Sequence, residues 1–243
     1  MRRSLLSALT GITLLAFTVS PASASPITPA PVRTLGHCLK HLPTHDKVVA
    51  LTFDAGGGAD GLHSILATLQ KEAVTATFFV TGKWARTFPH RLRKIARLGH
   101  AVGNHSNTHP NMSHLDDAGF RHQVTNAERA IGRTTPSGPW FRFPFGLHTP
   151  HDITLLNDLG YACIQWTVDT AGWMGTSTGW SAEKVAERVL DGARRGEIVL
   201  MHAGANPNDG STLDADALPT IIARLRDRGY RFVSLDSLLT PVT

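Results

Sequence analysis

From Lys47 onward, short apolar runs rich in β-branched and aromatic residues alternate with longer segments whose apolar residues recur every third or fourth position. The runs are Val48–Phe53, Ala76–Val80, Ala101–Val102, Trp140–Phe143, Tyr161–Val168, Ile198–Met201 and Arg231–Leu235. Helical spacing marks Leu62–Glu72, Trp84–Leu98, Asp116–Ile131, His151–Leu159, Ala182–Arg195 and Leu218–Arg228. Strands that take turns with helices pair in parallel and are covered by the helices, so this is an α/β chain. The expected fold is a distorted (β/α) barrel of about seven parallel strands in a single domain spanning 47–243.

The polar residues that interrupt this pattern fall where strands end. VVALTFDAGGGADG, from Val48 to Gly61, is an apolar run that stops at Asp54 and passes into glycine. A carboxylate at the end of a buried strand is costly unless it is paired, and glycines leave room for a ligand to approach. Alone, Asp54 would also suit a turn or a helix cap. Further polar residues end other strands: His105 and His109 in GNHSNTHP, Arg142 in FRFPFG, and His202 in IVLMH. Together they favour a site at the C-terminal rim of the sheet.

His105 and His109 stand at i and i+4, a spacing that on a helical turn brings two imidazoles to one face. That arrangement suits a divalent ion such as Zn²⁺, completed by a third protein ligand and an open position. A pair of turn histidines is the plainer alternative in a chain with 13 of them. Gly103 before the pair and Pro110 after it favour a loop of fixed shape over a solvent-exposed helix.

The order FDAG, HSNTH, RFPFG, VDTAGW and LMH resembles the five motifs of the metal-dependent polysaccharide deacetylases, carbohydrate esterase family four, also called the NodB homology domain. The resemblance runs through the domain from Lys47. It implies hydrolysis of acetyl groups on a sugar polymer with Zn²⁺, or else Co²⁺ or Mn²⁺, as cofactor. By matching position it makes Asp54 the general base, Arg142 its partner, His202 the general acid, and His105 and His109 metal ligands. Trp173 and Leu200 resemble the apolar walls around the acetyl methyl. The backbone N–H of Phe145 is placed to stabilise the oxyanion, and Asp169 is the first acid of the fourth motif.

Two positions depart from the family pattern. Ala55 stands where a second acid usually follows the base as a metal ligand, and Gly172 where an acid usually precedes the tryptophan of the fourth motif. For the missing ligand, Asp60 on the glycine loop is the nearest candidate in sequence, and it suits equally well the N-terminal cap of the next helix. With no acid at Gly172, His202 is expected to titrate near a free imidazole, about 6.5.

The flanking sequence bears on where the protein works. Met1–Ala24 has two arginines, an apolar stretch and the small residues Ala22-Ser23-Ala24, as in a cleaved export signal; the stretch is shorter than the roughly 20 residues of a membrane span. Residues 25–46 read as a Pro/Ala-rich leader, mobile or laid on the surface. Removing the signal takes two of 24 basic residues and none of 19 acidic ones, so the formal charge falls from +5 to +3. That mild excess suits an anionic cell wall and gives no case for nucleic acid. The expected product is a secreted monomer without a membrane anchor, acting on an acetylated glycan. Peptidoglycan leads, with chitin oligomers, acetylated xylan or a binding-only pseudoenzyme as alternatives. Cys38 and Cys163 can form one disulfide, although their sequence separation does not establish that they meet.

Overall fold

The computed structural model describes residues 34–239. The expected signal and residues 25–33 of the leader lie outside the described residues. Among the described residues, nine strands form one parallel sheet in the order β1-β6-β5-β4-β3-β2-β8-β7, with β9 also pairing β2. They are β1 Cys38–Leu39, β2 Val48–Ala55, β3 Thr77–Val80, β4 Ala101–Asn104, β5 Trp140–Phe141, β6 Ala162–Ile164, β7 Val168–Asp169, β8 Glu197–His202 and β9 Arg231–Phe232. Seven α-helices among the described residues accompany them: α1 Leu62–Lys71, α2 Gly82–Thr87, α3 Pro89–Arg97, α4 Asp117–Gly132, α5 Pro150–Asp158, α6 Ala182–Gly192 and α7 Leu213–Asp227. None of the described helices is long and apolar enough to cross a membrane.

Every residue of β2 is buried, as a parallel strand covered on both faces must be. Its two-residue period divides the burial. Val49, Leu51, Phe53 and Ala55 join the apolar layer that also holds Leu66 and Ile221 of the helices. Val48 and Ala50 point the other way, into a smaller cluster with Phe79, Trp140 and Ile198. Alternation therefore puts Asp54 on the face of Ala50, inside the curl of the sheet, and Ala55 among hydrophobic side chains.

The expected seven strands become nine for two reasons. First, the leader enters the sheet at Cys38–Leu39, where β1 pairs with β6 and Cys38 bonds Cys163 in a disulfide that closes a 125-residue separation. The described part of the leader is thus stitched to the domain. Second, the run Tyr161–Val168 is not one strand. Gln165 N–H donates to Leu39 of β1, and two residues later Thr167 N–H donates to Ile198 of β8. The run passes from one side of the open barrel to the other, and its bend leaves carbonyls that Arg142 takes up.

Two helices also differ from expectation. Trp84–Leu98 divides at Phe88, whose φ of −125° and ψ of 52° are not helical, because Pro89 bars the α conformation before it and opens α3. Helix α7 begins at Leu213 rather than Leu218, carrying Pro219 inside and Asp214 in its first turn.

Glu197, at the foot of the strand that ends in His202, is fully buried, and its Oε1 has no hydrogen-bond partner among the described residues. Burial pushes its pKa up from the ordinary carboxyl value to about 7. The unfolded chain releases this proton near 4.3, whereas the folded chain keeps it to about pH 7. The group's contribution is therefore fully present below the unfolded value and is lost as pH rises to the folded one. Denaturant titrations should show Glu197→Gln gaining on wild type by on the order of 3 kcal/mol between pH 4.5 and 7. A difference that stays constant with pH would rule out a buried, protonated Glu197.

Candidate active site

The strand register assembles the site. Asp54 is aligned with Phe79 of β3 and His202 of β8, while Asn104 of β4 is aligned with Val80 and Phe141. His105 and Arg142 are the next residues along β4 and β5, so all four side chains reach the same C-terminal rim. They surround or back a cavity of about 720 Å³ lined by Asp54, His105, His109, Phe145, Trp173 and Leu200, among others.

Arg142 lies behind the cavity wall with no solvent exposure. Its Nη1 donates to Asp54 Oδ1 at 2.8 Å, Nε to the Ile164 carbonyl at 3.3 Å and Nη2 to the Gln165 carbonyl at 3.2 Å. The guanidinium also sits over the Phe79 ring, 4.2 Å from its centroid. Such a planar donor fork suits a buried carboxylate better than a lysine would. Burial alone would raise the pKa of Asp54, but Arg142, with His105 and His202, more than offsets it and holds the carboxyl below its usual range. Asp54 is thus an anion at neutral pH, held in one orientation.

His105 Nδ1 lies 2.8 Å from the Arg142 carbonyl oxygen and must donate to it. Its Nε2 then faces Asp54 Oδ2 at 3.4 Å. Burial, only partly countered by Asp54, pulls His105 down to about 4, so the ring is neutral and Nε2 carries a lone pair. A lone pair and a carboxylate oxygen facing each other need a cation nearby. Burial likewise lowers His109, whose ring stands edge-on to His105 with centroids 4.7 Å apart. The two histidines meet through a loop rather than a helical turn: Ser106 and His109 both take φ of +64°, and Gln123 Oε1 accepts from Asn107 N–H and Thr108 N–H.

These two neutral imidazoles fit a divalent ion. No third protein ligand accompanies them: among the described residues, no group of three or more His, Cys, Asp or Glu is arranged to hold a metal. Ala55 is turned into the apolar layer. Asp60 is exposed and does not line the cavity, and the N-cap of α1 is Gly61, with no side-chain cap, so the structure brings Asp60 to neither of its two expected places.

Phe145 has a φ of +59°, which turns its ring outward to 63% exposure and against His109, with centroids 4.7 Å apart. Trp173 is 52% exposed across the cavity, while Leu200 is buried in its wall. Asp169 organises the Trp173 turn. Its carboxylate accepts from Ala171 N–H at 2.8 Å and lies 3.4 Å from Trp173 Nε1.

Sequence reasoning missed Asp214. This residue of α7 is 3% exposed; its Oδ2 accepts from the backbone N–H of His202 at 2.7 Å and lies 3.5 Å from His202 Nδ1. The expectation of an unassisted His202 is therefore corrected. Burial opposes its protonation, but Asp214, aided by Asp54 and Asp169, outweighs burial and raises the imidazole above its ordinary value. Two acids, Asp214 and Asp216, open α7. In sequence they look like ordinary first-turn acids that complement the helix dipole, and that masks the contact.

Residues 41–164 match the polysaccharide deacetylase family. The chain is 34% identical over 197 residues to a peptidoglycan-N-acetylglucosamine deacetylase of Bacillus cereus, covering 81% of this chain and 70% of that protein. It is 33% identical over 196 residues to a chitooligosaccharide deacetylase of Sinorhizobium fredii, covering 77% and 89% respectively. Among solved structures, a peptidoglycan N-acetylglucosamine deacetylase superposes with a TM-score of 0.77 at 31% identity, over 85% of this chain and 94% of that one. A pseudoenzyme of carbohydrate esterase family four from Bacillus anthracis superposes with a TM-score of 0.76 at 30% identity, over 84% and 69%. By sequence and by fold, this chain belongs to the polysaccharide deacetylase family, whose members are in general dependent on a divalent metal.

Proposed function

We propose that the protein removes acetyl groups from an N-acetylated glycan, with peptidoglycan as the leading substrate, by metal-assisted amide hydrolysis. The observation that carries this reading is the buried Asp54, oriented by Arg142 and aligned across adjacent strands with His202, at the edge of one cavity. A divalent ion, Zn²⁺ or else Co²⁺ or Mn²⁺, held by His105 and His109 would supply Lewis acidity at the amide carbonyl. Asp54 accepts a proton from the attacking water. The backbone N–H of Phe145 donates to the developing oxyanion. His202 delivers a proton to the departing sugar nitrogen, and Trp173 and Leu200 enclose the acetyl methyl.

A polymeric substrate is supported by the surface beside the site. A second cavity of about 560 Å³ is lined by Trp166, Asp169 and Arg188, and the first two also line the catalytic cavity. A glycan can therefore continue past the reacting unit along aromatic and polar groups. Export is supported by the signal-like N-terminus and by the Cys38–Cys163 disulfide, since such bonds persist in oxidising compartments.

The test is acetate release from peptidoglycan, chitin oligomers and acetylxylan, before and after chelation. Release from peptidoglycan is expected, with loss on chelation and recovery on adding Zn²⁺, Co²⁺ or Mn²⁺. Full activity in a metal-free sample would refute metal assistance. Glycan binding without release from any of the three would make this chain a pseudoenzyme, the class to which the Bacillus anthracis neighbour belongs.

A further inference from the structure

Asp214 and Gly172 compete for one volume. A Cβ built on Gly172 would lie 2.4 Å from Asp214 Oδ1 and 2.7 Å from its Cγ, and its three nearest atoms all belong to Asp214. The backbone at 172 is not in the left-handed region, so glycine is required there by the Asp214 carboxylate and not by chain geometry. Asp214 is itself held from two sides, by Thr170 Oγ1 donating to Oδ1 at 2.6 Å and His202 N–H donating to Oδ2 at 2.7 Å. His202 Nδ1 has no hydrogen-bond partner at ordinary geometry among the described residues, and the Asp214 carboxylate stands 3.5 Å from it.

We propose that Asp214 is the positioning residue of the general acid, taking from helix α7 the place that a side chain at position 172 would otherwise occupy. The inference rests on the deacetylase reading for the role of His202. With the carboxylate opposite Nδ1, that nitrogen keeps its proton, and Nε2 is left as the atom that exchanges a proton with the leaving group. During the reaction the bond from Nε2 to its proton breaks as the sugar nitrogen takes that proton, and the imidazole becomes neutral; no oxidant or further reactant is involved. The charged and titratable groups acting on His202 are Asp214 on α7, Asp54 on β2, Asp169 on β7 and His109 on the loop after β4. Asp214 is the one among them that bonds to His202 itself.

A merely structural Asp214, serving the first turn of α7, would affect stability and leave proton transfer alone. Asp214→Asn keeps the size of the side chain and an oxygen acceptor while removing the charge. It is expected to lower kcat by about 100-fold, the lower end of the range that general acid catalysis supplies, with little change in KM. The alkaline limb of its rate profile should fall at lower pH, because the imidazolium has lost its counter-charge. Gly172→Asp alone should impair the enzyme, since the new side chain meets Asp214. Gly172→Asp combined with Asp214→Ala should recover at least about 10-fold of the kcat lost in Asp214→Ala, on the same general-acid scale. NMR titration of His202 in wild type and Asp214→Asn reads the same contact without turnover, and a lower imidazole pKa in the variant is expected. Equal His202 titration in the two proteins would overturn the proposal whatever the activity. So would an unchanged kcat and alkaline limb in folded Asp214→Asn. An inactive wild type whose His202 titration still depends on Asp214 would instead count against the deacetylase reading and leave the contact established.

Discussion

Asp54→Asn is expected to lower kcat for acetate release by about three orders of magnitude, near the middle of the range that general base catalysis contributes. The amide oxygen can still accept from Arg142 Nη1, which wild type places 2.8 Å from Oδ1, so the fold should survive. What the amide cannot do is take a proton from water. Acetate release and thermal melting, measured on the same sample, check this outcome; a folded variant that keeps a tenth or more of wild-type kcat would sink the assignment of Asp54 as base. The pH profile adds a second constraint. Because Arg142 and its neighbours hold the Asp54 carboxyl below its usual range, the acidic limb of the wild-type profile should lie below about 3.9, the ordinary carboxylate value. The linked stability has the matching sign. It is fully present above the unfolded pKa and is lost as pH falls through the lower folded value.

Arg142→Leu is expected to lower unfolding free energy by about 3–5 kcal/mol, the cost of breaking a buried ion pair from one side. The side chain has no solvent exposure and serves three acceptors, on Asp54, Ile164 and Gln165. Removing it strands an anion and two carbonyls where water has little access. Arg142→Lys should remain clearly destabilised, because one ammonium cannot copy the planar fork that reaches all three. Combining Arg142→Leu with Asp54→Asn should recover part of the loss, since the stranded charge is gone. Urea titrations of the four proteins decide the matter. A cost below about 1 kcal/mol for Arg142→Leu, or no recovery in the double variant, would mean that the pair is not buried and coupled as described.

Much of the site is legible in the sequence because its residues sit at the ends of apolar runs. Asp54, His105, Arg142 and His202 each follow or end a strand, and parallel strands deliver their ends to one rim regardless of the loops between them. The two-residue period of β2 even settles which face Asp54 takes, since Val49, Leu51 and Phe53 claim the other. The motif order carried the family as well. What could not be read were contacts between elements remote in sequence. Cys38 lies opposite Cys163 through a short edge strand in a stretch that looks like a leader. The run Tyr161–Val168 carries no Gly or Pro to mark a break, and only pairing with both β1 and β8 divides it.

Asp214 marks the boundary most sharply. In sequence, Gly172 is a departure from the family pattern and Asp214 is one of two acids beginning a helix, 42 positions further along with nothing to join them. Local periodicity determined which residues face the barrel interior, because alternation along a strand is a property of the backbone. Only the tertiary structure decided that the volume left empty by glycine at 172 is filled by a carboxylate from α7, because packing density and charge pairing are satisfied by whichever residue reaches the space, from any point in the chain.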